Sequence, residues 1–290
     1  MNISPKDVKA LRDKTGAGMM DCKKALVEAE GDFEKAIEIL RKKGASVAAK
    51  RAGKTANEGI VVTRIFEDGK AGAIVEVNCE TDFVAKSGDF VEFANFVADA
   101  VVDAKPENVE ALLNSQFQDK KVADVLNEII GKIGEKIEIS RFAIVNTENG
   151  LVVDYVHAGA KLGVLVVAEG VQSEFQEELA SLLKDVAMQV AAMKPGYVSR
   201  EEVPEEVIRK EKEIYMEVAR KEGKPEQILD KIATGKLNKF YQENCLLEQA
   251  FVKDNTKTVG QLIEEFNKEH SASVKLKAFK RFHLSDENKA

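Results

Sequence analysis

The sequence predicts an α+β protein: a three-helix bundle at the N-terminus, then a core built twice on the plan strand, strand, helix, insert, strand, with a protruding helical hairpin inserted in the second copy. Three observations predict it. Residues 4–44 carry apolar side chains at helical spacing between capping residues and glycines. Gly59-Ile60-Val61-Val62 recurs as Gly150-Leu151-Val152-Val153, and Lys70 with Gly72 recurs as Lys161 with Gly163, all at one offset of 91 residues. Ser199–Glu222 is densely charged around a narrow apolar stripe and is followed by a Gly-Lys-Pro break.

The first helix opens at Ser4, the N-cap, with Pro5 at its first position and Asp7 in its first turn, and Gly16 and Gly18 break it. Met19, Met20, Ala25, Leu26 and Ala29 give a second apolar face before Gly31. Asp32 caps a third helix carrying Phe33, Ile37 and Leu40, whose Arg41-Lys42-Lys43 end suits the helix dipole and whose predicted stop is Gly44. A bundle of about 40 residues is near the lower limit for folding alone, which predicts a docking module at 1–45 on a linker at 46–57. Lys50, Arg51 and Lys54 with few apolar neighbours fit either a flexible linker or a helix running on out of the bundle.

The two copies are predicted at 58–146 and 147–290. In the first, Ala73-Ile74-Val75-Glu76-Val77 reads as a buried strand, and Phe90, Phe93, Ala94, Val97 and Val101 place a helix over 88–104. In the second, Leu165 and Val166 take the places of Ile74 and Val75, and the helix falls at 174–193. Lys136–Val145 and Val274–Leu284 are the closing strands, sharing the dipeptides Arg141-Phe142 and Arg281-Phe282. The order implies an antiparallel or mixed sheet with helices on one face. Residues 107–134 read as two short helices around Asn114–Lys121. The second insert, from Pro195 to about Ser273, contains the hairpin at about 199–244, with Val207, Ile208, Ile214, Tyr215 and Val218 before Gly223-Lys224-Pro225 and Ile228, Ile232, Leu237 and Phe240 after it. It reads as an antiparallel pair projecting from the body, the alternative being a solvated helix pair lying along the sheet.

Composition removes several functions. With 43 basic and 50 acidic residues the formal charge is −7, which opposes a general binder of nucleic acid or membrane surfaces. Cys22, Cys79 and Cys245 form no close pair, and His157, His270 and His283 are too scattered to complete a metal site with them, so no metal is expected and a reducing cytoplasm is. No apolar run reaches the roughly 18 residues of a membrane span, and neither a signal segment nor an Arg-rich transit segment precedes Ser4. A nucleophile elbow, a phosphate loop of the Walker type, a GxGxxG turn and an HExxH helix are all absent, so the chain reads as a non-enzyme without a cofactor.

Thr81-Asp82-Phe83-Val84 is the connection between the first copy's second strand and its helix. Periodicity gives Phe83 no reason to face the core, and an aromatic presented on a loop by rigid elements is a common interface anchor. The alternative is a Phe folded back beneath its own helix, as buried Phe usually is. The second copy, where Gly170-Val171-Gln172-Ser173 carries no ring, favours contact, because scaffold recurs in a repeat and an added binding site need not. Asp82 reads as a helix N-cap or a surface contact, Cys79 as a small packed residue, and His157 as a hydrogen-bonded structural histidine. Met19 and Met20 are adjacent and cannot share one helix face, so at least one points outward, where a Met adapts to a partner surface.

Glu76–Lys86 resembles the second signature of the elongation factor Ts family, and Leu11–Leu26 resembles its N-terminal signature. Further similarity lies in Ala49-Lys50-Arg51, Tyr155-Val156-His157 with Gly163-Val164-Leu165, Gly223-Lys224-Pro225, and Leu246–Gln249 with Phe251-Val252-Lys253, covering nearly the whole chain. The resemblance implies a UBA-like N-terminal bundle, a protruding coiled coil that could pair molecules, and a guanine nucleotide exchange factor for the GTPase elongation factor Tu. It further implies that Thr81, Asp82, Phe83 and Val84 enter that partner's nucleotide domain, with Phe83 wedging near the magnesium site, and that Arg12, Met19 and Met20 make a second contact. The chain departs from the family at Gln189, where a partner-contacting histidine is common, and at Arg281–Asp286, which lacks a glycine-rich turn and longer tail. Two other readings compete. A non-catalytic interaction module would use the UBA-like bundle on a peptide or ubiquitin-like surface and leave Thr81–Val84 idle; an RNA binder would use Lys50, Arg51 and Lys54 against the acidic total.

Overall fold

In the computed structural model, which describes residues 3–286, Ser4 opens helix α1 (Pro5–Thr15) through a reciprocal cap. Its Oγ accepts from the Asp7 N–H, and the Asp7 carboxylate accepts from the Ser4 N–H, both at 3.2 Å. The outermost residues of the predicted ranges, 1–2 and 287–290, lie outside the described residues. Helices α2 (Met19–Glu28) and α3 (Phe33–Arg51) complete the bundle around Leu11, Cys22, Leu26 and Ala36. Then follow β1 (Glu58–Phe66), β2 (Ala71–Cys79), the one-turn helix α4 (Asp82–Ala85), α5 (Gly88–Ala104), α6 (Val109–Asn114), the short hairpin of β3 (Gln116–Phe117) and β4 (Lys120–Lys121), α7 (Val122–Ile133) and β5 (Ile137–Asn146). The second copy contains β6 (Gly150–Val156), β7 (Leu162–Glu169), α8 (Gln176–Met193), α9 (Glu205–Lys221), α10 (Glu226–Asn244), β8 (Ala250–Phe251), β9 (Asp254–Thr258), α11 (Val259–His270) and β10 (Lys275–His283).

The core holds two antiparallel three-stranded sheets, in the orders β1-β2-β5 and β6-β7-β10. Their inner faces meet through Val61, Ile74, Val152, Leu165 and Phe282. Here residues 91 positions apart touch one another: Thr63 Oγ1 donates to the Asp154 carboxylate at 2.5 Å. A Cβ on Gly72 would lie 2.9 Å from Val152 Cγ1, and one on Gly163 would lie 2.7 Å from Val61 Cγ1. Because Val61 and Val152, like Gly72 and Gly163, are repeat equivalents, the contact is self-complementary and the copies are related by a pseudo-two-fold axis. The outer faces are covered by α5, through Phe90, Phe93, Val97 and Val101, and by α8, through Leu179, Leu183, Val186 and Val190. Covered on both sides, β2 and β7 need apolar residues on both faces, which is why their sequences run nearly unbroken in apolar character.

Two local readings are corrected by register and packing. Val75 pairs with Phe142, and its equivalent Val166 pairs with Phe279, so the shared Arg-Phe dipeptide of the closing strands is displaced by three residues in register. Nor does Gly44 stop the third helix. The helix continues to Arg51 because Gly44 is the point where α3 crosses α7: a Cβ there would meet the backbone oxygen of Asn127 at 2.5 Å, and a Cβ on Gly131 would meet Gly44 Cα at 2.8 Å. Arg41 to Glu128 at 3.0 Å flanks the crossing.

Gly44→Ala should therefore destabilise despite gaining about 1 kcal/mol of helix propensity, because overpacking against a backbone atom costs about 1–3 kcal/mol. Gly53→Ala, where nothing lies within 4 Å of the added carbon, should be neutral or slightly stabilising. Paired urea melts check this, and a Gly44→Ala protein as stable as wild type refutes the close crossing.

In the second insert α9 and α10 form a hairpin. Its base is fixed by Val203, Tyr241 and Cys245 with Tyr197 and Phe240. Farther out Ile214, Val218 and Ile228 stay well exposed.

Candidate functional site

The strand β2 is buried along its whole length, so the chain leaving it at Cys79 starts from a fixed point. Thr81 is the cap of α4, its Oγ1 accepting from the Val84 N–H at 3.4 Å. The Thr81 N–H and Oγ1–H donate to the two oxygens of Glu135 at 3.1 and 2.8 Å, and its carbonyl accepts from Cys79 Sγ at 3.2 Å. Burial, with Glu135 nearby, pushes the Cys79 thiol up to about 12, so this sulfur is a neutral packed donor rather than a nucleophile. Ser87 closes the other end, donating to the Val84 carbonyl at 2.8 Å while capping α5.

Asp82 occupies the first helical position and not the cap. Its carboxylate accepts from Lys86 Nζ at 2.8 Å, and that hydrogen bond holds it below the usual aspartate range while raising the lysine. Val84 and Ala85 pack inward onto the first core. Phe83 points the other way and is 83% exposed, the side chain that would gain most from a partner. A pinned turn with an apolar inner face thus presents one ring to solvent. The opposite rule, that Phe is usually buried, holds for Phe90 and Phe93 a few residues on.

On the bundle Arg12 is exposed on α1, and Met19 and Met20 are 46% and 62% exposed at the start of α2. Both methionines face outward, together with Val27, which sequence reasoning did not single out. Gln189 lies in the interior. It donates to Gln249 Oε1 and to the Ala250 carbonyl, each at 3.1 Å, and accepts from the Val252 N–H at 2.8 Å. In this chain the residue ties α8 to the β8–β9 hairpin. His157 is hydrogen-bonded to the Tyr155 hydroxyl at 2.8 Å, and Cys22 and Cys245 are buried.

Behind the turn lie contacts that the sequence did not show, made by Arg51, Glu80 and Glu135. Arg51 at the end of α3 donates to Glu80 at 3.1 Å, and Glu80 accepts the Lys136 N–H at 2.6 Å. The β2–β5 pairing, which ends at Cys79 opposite Ile137, is the signal that brings Glu80 and Glu135 together. Among the described residues no group of three His, Cys, Asp or Glu is placed to hold a metal ion, and no helix is long and apolar enough to cross a membrane.

The family model described as Elongation factor TS matches residues 80–286, beginning one residue before the capped turn. The elongation factor Ts of Chloroherpeton thalassium is 47% identical over 288 residues, covering 98% of this chain and 99% of its own. That of Chlorobium phaeobacteroides is 48% identical over 286 residues, covering 97% and 98%, and that of Clostridium botulinum strain Alaska E43 is 48% identical over 282 residues, covering 97% and 92%. Similarity of this extent, spanning both copies of the core and the bundle, places the chain in the elongation factor Ts family.

Proposed function

We propose that this chain is a guanine nucleotide exchange factor that binds elongation factor Tu carrying GDP and promotes GDP release, as a cytoplasmic protein without chemistry or a cofactor of its own. The observation that carries the reading is the outward Phe83 on a turn held at both ends. GDP in a GTPase of this kind is held by a glycine-rich loop and a bridging Mg²⁺ ion. Phe83 enters the partner's nucleotide domain near that ion and distorts its coordination, while Thr81, Asp82 and Val84 shape the same contact. Arg12, Met19 and Met20 supply a second contact from the bundle at 1–45, joined by the segment 46–57 to core subdomains at 58–146 and 147–290.

No bond need be made or broken for this. The factor has only to bind the distorted, nucleotide-free partner more tightly than the GDP-bound one. Linkage then fixes the reverse effect: GDP weakens factor binding by the same ratio by which the factor weakens GDP binding. Calorimetric titration of nucleotide-free elongation factor Tu into the factor, repeated with GDP and Mg²⁺, should give affinities at least about tenfold apart, a coupling of about 1.4 kcal/mol. Equal affinities in the two titrations would rule out exchange.

A further inference from the structure

Beyond the residues of the turn itself, the two carboxylates behind it form a reciprocal clasp. The last β2–β5 pair is Cys79 with Ile137. Where the backbone ladder ends, side chains continue it: Glu80 on the β2 side accepts the Lys136 N–H at 2.6 Å, and Glu135 on the β5 side accepts the Thr81 N–H at 3.1 Å and its hydroxyl at 2.8 Å. Both carboxylates are partly buried, where hydrogen bonds to a charged acceptor are strong. Glu135 owes its place to Gly134, which ends α7 in the left-handed region at φ 82° and turns the chain back toward β5.

The consequence concerns direction. Phe83 is two residues from Thr81 and has no protein surface of its own to rest on, so the orientation of α4 decides where its ring points. The Cys79 sulfur bonds the Thr81 carbonyl and Ser87 bonds the Val84 carbonyl, but the Thr81 amide and hydroxyl proton are both committed to Glu135. We infer that Glu135 is a positioning residue for nucleotide exchange: its carboxylate fixes the cap of α4 and thereby pre-orients Phe83 toward the partner. The inference rests on the exchange reading and adds to it a group 54 residues from Thr81 along the chain. The binding-competent fraction of the turn enters the apparent affinity and rate directly.

The test is a double-mutant cycle on Glu135→Ala and Phe83→Ala, read as release of fluorescent GDP from elongation factor Tu. Alone, Glu135→Ala should slow release by about three- to tenfold as the competent fraction falls. In the Phe83→Ala background the same change should cost less than about twofold, because it acts through the ring. Hydrogen exchange of the Ala85 amide, which bonds the Thr81 carbonyl, should quicken in Glu135→Ala while the thermal midpoint of the whole chain stays near wild type. Glu135→Gln, which keeps one acceptor oxygen and turns the other into a donor, should release GDP at a rate between those of wild type and Glu135→Ala. Equal losses in both Phe83 backgrounds, no loss in either, or a Gln variant as slow as the Ala variant would each overturn the positioning role. If Phe83→Ala itself leaves release unchanged, the role given to Phe83 in the exchange reading fails first and takes this inference with it; if Phe83→Ala is slow and Glu135→Ala is not, only the inference fails.

Discussion

Phe83→Ala is expected to slow factor-assisted GDP release by about one to two decades, because fully burying such a side chain contributes about 1.5–3 kcal/mol and each 1.4 kcal/mol is a factor of ten. The same substitution should leave folding stability within about 0.5 kcal/mol, since an exposed side chain away from caps and cores has little to lose. The ring is 83% exposed, and the bonds that hold α4 come from Thr81, Cys79 and Ser87 rather than from it. Separating the two readouts matters: a variant that is stable and slow identifies a contact, whereas a variant that is unstable and slow identifies only a damaged turn. Complex formation should survive through the bundle and the second copy, because a single side chain supplies only part of any such interface. An unchanged rate of fluorescent-GDP displacement at full stability would remove Phe83 from the mechanism.

Phe83 was legible in the sequence for a physical reason. A strand buried on both faces and a helix with a continuous apolar stripe leave the residues between them outside both periodicities, and the second copy lacked the ring. The duplication was legible too, since the inter-sheet contact is self-complementary and forces the same residue types at equivalent positions, glycine at 72 and 163 opposite valine at 152 and 61. What the pattern concealed were contacts defined by partners far along the chain. A glycine after a lysine run reads locally as a helix stop, yet Gly44 is retained inside α3 because the backbone of α7 occupies the space its Cβ would take. Glu135 reads as one more charged loop residue until β2 and β5 are paired. Gln189 read as a changed partner contact, and it is interior because its amide matches three groups of the β8–β9 region that lie 60, 61 and 63 residues away along the chain.

The largest loss of stability should come from Arg141. Its guanidinium lies in the layer between the sheets, donating to Glu76 at 2.8 Å, to the His283 carbonyl at 3.1 Å and to Asp286 at 3.0 Å, with its face 4.2 Å from the centre of the Phe282 ring. Glu76 is wholly buried on β2, and Asp286 follows the end of β10, so one side chain ties the first sheet to the last strand of the second. Arg141→Met keeps the length and apolar stem but removes the positive charge beside a buried carboxylate, a change that costs about 3–5 kcal/mol. The pH dependence gives an independent check. Burial pushes the Asp286 carboxyl up, but the His283 N–H, Arg141 and Arg281 outweigh it and hold the group below its usual value of 3.8. A carboxylate lowered on folding contributes stability that is complete above its unfolded pKa, near 4, and is lost as pH falls through the lower folded value. Wild type should therefore lose stability below about pH 4, and Arg141→Met, having removed one of the cations that depress Asp286, should show a shallower acid decline from its lower plateau. A loss under about 1 kcal/mol at pH 7, or parallel acid limbs in the two proteins, would mean that the inter-sheet layer is held by its apolar contacts and not by this pair.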